Sequence, residues 1–149
     1  PLRVDKAVHY TRQTLQGLAC LHYAGIVHRD IKPANLLITD QDTIEICDFG
    51  LSKLHGEKFA GPPSLKVGSA WYAPPEQETD PDRVDVTADL FSAGLTLYRL
   101  LTGVLPFDSD TLRTGGMEHI RKVIRAYGKD THPPIEPVVE PSRVIPASG

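Results

Sequence analysis

Four side chains in this sequence have the types and spacing to do chemistry together: Asp30, Lys32, Asn35 and Asp48. The first three lie in His28-Arg29-Asp30-Ile31-Lys32-Pro33-Ala34-Asn35, and Asp48 opens Asp48-Phe49-Gly50, thirteen residues after Asn35. A third segment belongs with them: Gly68-Ser69-Ala70-Trp71-Tyr72-Ala73-Pro74-Pro75-Glu76. A carboxylate, an ammonium and an amide oxygen in one pocket can hold Mg²⁺ and a phosphate in transfer. Mg²⁺ takes one or two protein oxygens and completes its octahedron with phosphate oxygens and water. A second carboxylate, outside the metal shell, can accept the proton of an attacking hydroxyl. Residue type alone leaves open which carboxylate does which.

For these groups to meet, the chain must fold back between Asn35 and Asp48. Residues 36–39 and 43–47 are short β-type runs separated by Asp40-Gln41-Asp42, which predicts a hairpin. A hairpin returns Asp48 towards Asn35. Upstream, Val4, Val8, Leu15, Leu18, Ala19 and Leu21 recur near a 3.6-residue period and predict a helix over 2–23, with Gly25 as its stop. Residues 26–35 read as a polar stretch. Residues 48–70, with Gly50, Gly56, Gly61, Pro62, Pro63 and Gly68, read as one long loop. Residues 86–102 are apolar nearly all round and predict a buried helix, capped by Asp85 or Thr87 and ended by Gly103. A third, amphipathic helix is expected over 116–127, with Arg121, Lys122 and Arg125 on its solvated side. Residues 130–149 hold five prolines and read as an extended tail. There is no internal repeat.

Composition narrows the function classes. The 149 residues carry 16 Lys and Arg against 19 Asp and Glu, a net charge of −3. That balance removes the electrostatic case for nucleic-acid binding and for a polybasic membrane contact. No run of apolar residues is long enough to span a bilayer. Cys20 and Cys47 cannot form a disulfide framework and have no Cys-x-x-Cys spacing. They are expected to be reduced core residues in a cytoplasmic protein. His9, His22, His55, His119 and His132 have no ligand spacing and are expected on surfaces or helix faces. The acidic group of Glu76, Glu78, Asp80, Asp82 and Asp85 reads as a solvated face. The chain opens on Pro1 and its one methionine is Met117, which predicts a piece of a longer protein.

The segments resemble the eukaryotic-type (Hanks-type) serine/threonine protein kinases, through the catalytic-loop pattern H-R-D-x-K-x-x-N followed by D-F-G. The resemblance runs from about residue 2 to about residue 127. It implies a mainly α fold with a small β-hairpin, the C-terminal lobe of the kinase-like α+β fold. It implies that Asp30 is the catalytic base, that Asn35 and Asp48 are Mg²⁺ ligands, and that Lys32 neutralises the γ-phosphate of ATP. Lysine two places after the Asp is typical of serine/threonine rather than tyrosine kinases. Ser69 stands where the family has a Ser or Thr that contacts the catalytic Asp and Lys. The family's Ala-Pro-Glu is here Pro74-Pro75-Glu76, so the Ala is not matched; Glu76 is expected to pair with an Arg of later helices. Asp89-Leu90-Phe91-Ser92-Ala93-Gly94 resembles the central-helix pattern whose Asp bonds the catalytic-loop backbone, which makes Asp89 structural. Phe91, where many eukaryotic members have Trp, leans the chain towards bacterial members.

Regulation and specificity follow from the same resemblance. Arg29 and Lys53 match basic positions that receive an activation-loop phosphate, and Ser64, the only hydroxyl residue between Ser52 and Ser69, is its expected carrier. Ala34 and Arg99 stand where Arg-directed kinases carry Glu, which argues against that preference. Protein substrates are the expected partners, with ATP and Mg²⁺ as cofactors, and with no nucleic acid and no membrane contact in this stretch. No G-x-G-x-x-G and no V-A-I-K occurs in residues 1–149. The expectation is therefore a partial kinase domain, its N-terminal lobe absent, with little or no activity by itself. The rival readings are a pseudokinase-like scaffold and a small-molecule kinase. Intact Asp30, Lys32, Asn35 and Asp48 speak against the first; Lys32, Ser69 and Pro75-Glu76 speak against the second.

Overall fold

The computed structural model describes residues 1–61, 71–106 and Lys122. Two long helices and two small antiparallel pairs make up this part. Helix α1 (Val4–Tyr23) ends where Ala24 and Gly25 donate back to the carbonyls of Cys20 and His22, with Gly25 at φ 76°. Strand β1 (Ile26–Val27) follows, then a single 3₁₀ turn at Pro33–Asn35, then β2 (Leu36–Ile38) and β3 (Ile44–Ile46). β2 and β3 form the expected hairpin, in the register Leu36 to Ile46 and Ile38 to Ile44. Strand β4 (Lys53–Leu54) lies inside the segment expected to be one loop and pairs with β1. The His55 N–H donates to the Gly25 carbonyl at 2.7 Å and extends that pairing. Two-residue strands are too short to show alternation, so this pair left no pattern in the sequence. A short helix, α2 (Glu76–Thr79), precedes α3 (Val86–Thr102).

Helix α3 has the expected bounds and cap: the Asp85 carboxylate accepts from the Thr87 N–H at 2.8 Å. It is not buried all round, however. Its buried positions are Ala88, Asp89, Ser92, Ala93 and Thr96, small or polar residues, while Leu90 is 50% exposed. Small side chains let α1 approach this face. There Leu18, Ile31 and Ala93 form one core cluster, with Leu21 and Ile46 against it. Val27, Val84 and Ala88 form a second beside it.

The inner face of α1 also differs from the expected one. Ala7, Tyr10, Thr14 and Leu18 are buried, whereas Val4, Val8, Leu15 and Ala19 are exposed. Tyr10 and Thr14 can be core residues because their hydroxyls are satisfied: Tyr10 donates to Asp42 at 2.6 Å and Thr14 to the Tyr10 carbonyl at 2.9 Å. Cys20, expected in the core, is exposed on the far side of α1, and Cys47 is half-buried; both are free. The expected helix over 116–127 and the tail over 130–149 lie outside the described residues, apart from helical, exposed Lys122.

Gly103 ends α3 in the left-handed region at φ 78°, and a Cβ there would stand 3.2 Å from Pro1 Cδ. An L-residue in that conformation costs about 1–2 kcal/mol. Gly103→Ala in the full natural chain is expected to lower the Tm by about 2–6 °C, read by thermal denaturation. An unchanged Tm would mean that the turn after α3 is not formed in solution.

Candidate active site

The site is built on the loop between β1 and β2, which enters through two anchors. The Asp89 carboxylate, fully buried on α3, accepts from the His28 N–H at 2.9 Å and the Arg29 N–H at 2.7 Å. Gln77 Nε2 of α2 donates to the Arg29 carbonyl at 2.7 Å. Together they hold Arg29 at φ 70°, a left-handed conformation that a non-glycine residue adopts only when its surroundings enforce it. Beyond that twist Asp30 turns inwards and is 8% exposed.

Asp30, Lys32 and Asn35 meet directly. Asp30 Oδ2 accepts from Lys32 Nζ at 2.7 Å and from Asn35 Nδ2 at 2.9 Å. Asn35 Nδ2 also donates to the Asp30 carbonyl at 2.7 Å. The Asn35 amide nitrogen is thereby committed to Asp30, and its oxygen, on the other arm of the carboxamide, is turned away from that carboxylate.

Asp48 is held to the same loop by the residues on both sides of it. The Cys47 N–H donates to the Asn35 carbonyl at 3.0 Å, continuing the hairpin ladder by one bond. The Asp30 N–H donates to His28 Nδ1 at 3.2 Å, so His28 carries its proton on Nε2, which donates to the Cys47 carbonyl at 3.1 Å. On the other side, Phe49 meets the His28 ring edge-on, with centroids 4.9 Å apart. Asp48 itself is exposed, at φ 63°, and its Oδ1 accepts from the Gly50 N–H at 3.3 Å. Asp30, Lys32 and Asn35 are thus in contact, and Asp48 joins them through its backbone neighbours.

The two basic residues singled out with them point elsewhere. Arg29 is 2% exposed, with its guanidinium 3.8 Å over the Phe59 ring and, among the described residues, no hydrogen-bond partner for Nε or Nη1. Burial pushes the guanidinium below its ordinary pKa, while Asp89 and Asp82 act in the opposite sense. Lys53 Nζ is spent on backbone carbonyls, Asp82 at 2.7 Å and Glu57 at 3.1 Å. Among the described residues, Arg29 is therefore the member of the pair with unpartnered donors. Asp82, expected to be merely solvated, also accepts from the Phe59 N–H at 2.8 Å. Ser64 and Ser69 lie outside the described residues. Trp71 is half-buried; Tyr72 is buried, with its carbonyl accepting from Ser92 Oγ at 2.8 Å. Glu76 is exposed.

Sequence reasoning missed His22 and Gln77. His22, expected on a helix face, approaches Asp89 Oδ2 with Nε2 at 2.8 Å and is the third group on that carboxylate. Gln77 is buried and acts on the Arg29 carbonyl from a four-residue helix. Neither has a partner near in sequence.

Comparison with known proteins agrees with this architecture. The family model described as "Protein kinase domain" matches residues 1–143. The chain belongs to the protein kinase domain family. Among the curated relatives of this kinase chain is a probable serine/threonine-protein kinase of Clostridium acetobutylicum, 39% identical over 120 residues, or 80% of this chain and 18% of the relative. A second, from Bifidobacterium longum, is 38% identical over 119 residues, 80% of this chain and 16% of the relative. A third, the serine/threonine-protein kinase PknL of Mycobacterium tuberculosis, is 39% identical over 111 residues, 74% of this chain and 28% of the relative. The kinase chain therefore spans less than a third of the length of these relatives, all of them bacterial. Among the described residues, no helix is long and apolar enough to cross a membrane.

Proposed function

We propose that residues 1–149 carry the phosphoryl-transfer centre of a protein serine/threonine kinase, in the C-terminal lobe of its catalytic domain. The observation that carries this reading is the convergence of Lys32 Nζ and Asn35 Nδ2 on one Asp30 oxygen, beside a hairpin that returns Asp48. The donor set fits a magnesium ion. The Asn35 carboxamide oxygen and the exposed Asp48 carboxylate are two protein oxygens, the number Mg²⁺ takes when phosphate and water supply the rest. Bound there, Mg²⁺ neutralises charge on the phosphates of ATP.

The chain's own residues do the remaining work. A Ser or Thr hydroxyl attacks the γ-phosphorus as the bond from that phosphorus to the bridging β–γ oxygen breaks, and ADP leaves. The hydroxyl proton passes to Asp30 Oδ1, while Oδ2 is held by Lys32 and Asn35. Lys32, whose Nζ donates to Asp30 at 2.7 Å, has the role of setting its ammonium against the charge on the transferring group. Ser69 completes the acceptor side. Ser64 is the site at which a regulatory phosphate is placed, and Arg29, whose Nε and Nη1 have no hydrogen-bond partner among the described residues, is the group that receives it once Phe59 moves aside.

The test uses the full natural chain with γ-labelled ATP and Mg²⁺, offered a mixed protein substrate, choline and an aminoglycoside. Phosphoserine or phosphothreonine on protein is the expected product. Phosphotyrosine, or label on the small molecules alone, overturns the reading. Nucleotide binding with no transfer to any acceptor would favour the scaffold.

A further inference from the structure

We infer that Asp42, in the β2–β3 turn, is a positioning residue that sets the hairpin against α1 and thereby fixes where Asp48 stands relative to Asn35. This inference rests on the reading of Asn35 and Asp48 as the metal-binding pair. The turn closes through Thr39 N–H to the Thr43 carbonyl at 2.9 Å and Asp42 N–H to the Thr39 carbonyl at 3.0 Å, with Asp42 at φ 59°. A non-glycine residue in that conformation needs a reason, and its side chain supplies one. Oδ1 accepts from the Tyr10 hydroxyl at 2.6 Å, Oδ2 accepts from Lys6 Nζ, and both donors lie on α1. Gln13, one turn further along the same helix, adds a second hold: its Oε1 accepts from the Ile44 N–H at 2.7 Å and its Nε2 donates to the Asp42 carbonyl at 3.3 Å.

These contacts act at the far end of a short ladder. From the turn, β3 runs Ile44–Ile46 to Cys47, whose N–H is bonded to Asn35, and then to Asp48. A two-stranded hairpin of this length is marginal alone. His9 Nε2, also on α1, stands 3.3 Å from the Asp42 carbonyl and 3.6 Å from Asp42 Oδ2. Apolar support comes from Ile46, which packs against the cluster containing Leu18 and lies close over Gly17, where a Cβ would stand 2.9 Å from Ile46 Cδ1. Fastening the turn therefore limits the freedom of the strand that ends in Asp48. The Lys6 ammonium and the Tyr10 hydroxyl also hold the Asp42 carboxyl below the usual carboxylate range, which agrees with the geometry.

Glycine favours the conformation Asp42 adopts, so Asp42→Gly removes the side chain while relaxing the turn, and a loss cannot be assigned to backbone strain. In the full natural chain, Asp42→Gly is expected to speed amide exchange at Cys47 and Ile44 by roughly fivefold to tenfold, in line with a half-exposed charged contact. The Mg²⁺ concentration that half-maximally tightens binding of a fluorescent ADP analogue rises by a similar factor, while affinity for the analogue in EDTA is unchanged. Asp42→Asn, which keeps an acceptor for Tyr10, restores most of both. A Mg²⁺ requirement within about twofold of wild type, or equal weakening with and without Mg²⁺, overturns the inference. If Asp42→Gly does not fold, Tyr10→Phe carries the same readouts. If the wild-type protein shows no Mg²⁺-dependent ADP binding, the metal reading of Asn35 and Asp48 fails. The exchange rates then still decide whether Asp42 fixes the hairpin.

Discussion

Asp30→Asn in the full natural chain is expected to lower the rate of phosphoryl transfer by about 10²–10⁴-fold, the usual contribution of a positioned general base. The substitution keeps the shape of the side chain and removes its capacity to take a proton. It also disturbs its surroundings. Asp30 Oδ2 now accepts from both Lys32 Nζ and Asn35 Nδ2, and an Asn amide turned the wrong way would set an NH₂ against these donors. Turned the right way, it presents its oxygen to them and its NH₂ to the incoming hydroxyl, which blocks proton acceptance. In either case the loss falls on the chemical step. Single-turnover measurements with saturating Mg²⁺ and ATP should show it there, with nucleotide affinity changed by less than about threefold, because no proposed metal ligand has been altered. A rate within about tenfold of wild type would remove Asp30 from the role of base. An equal fall in nucleotide affinity would instead make it a structural member of the site.

How much of this arrangement could be read beforehand depended on distance along the chain. The hairpin was legible because its two β-type runs and the intervening Asp40-Gln41-Asp42 are contiguous. Helix α3 was legible because its cap, Asp85, and its stop, Gly103, are local. The buried face of α1 does not follow from apolar type alone. Tyr10 and Thr14 sit inside because their hydroxyls find partners, one of them 32 residues away. His22 and Gln77 were invisible for the same reason, with partners 67 and 48 residues distant. The convergence of Asp30, Lys32 and Asn35 was readable from one short loop, and Asp48 from the hairpin. The twist at Arg29 that turns Asp30 inwards was not, because it is enforced from α3 and α2 and nothing in the residue itself requires it.

That twist identifies Asp89 as the residue whose loss should be felt most widely. Its carboxylate is fully buried and serves three groups: the Arg29 N–H at 2.7 Å, the His28 N–H at 2.9 Å and His22 Nε2 at 2.8 Å. Asp89→Ala leaves two backbone donors buried without acceptors, each costing about 1–3 kcal/mol, and opens a small void between α3 and the loop. The backbone strain at Arg29 then loses its principal restraint, and Gln77 alone holds the Arg29 carbonyl. The expected loss is about 3–5 kcal/mol, or a fall in Tm of about 10 °C. Asp89→Asn should lose less, about 2 kcal/mol, because one oxygen survives while the amide NH₂ faces a donor. Thermal and urea denaturation give the magnitudes. Amide exchange separates the mechanism: at His28 and Arg29 it should rise well beyond the global change, since these N–H groups lose their own acceptor. Phosphoryl transfer should fall with them even where the protein remains folded, because Asp30 is presented only beyond the Arg29 twist. A stability loss under about 1 kcal/mol in Asp89→Ala, with protected amides at 28 and 29, would mean that the loop holds its shape without α3. The left-handed turn would then have to be explained by contacts on its other side.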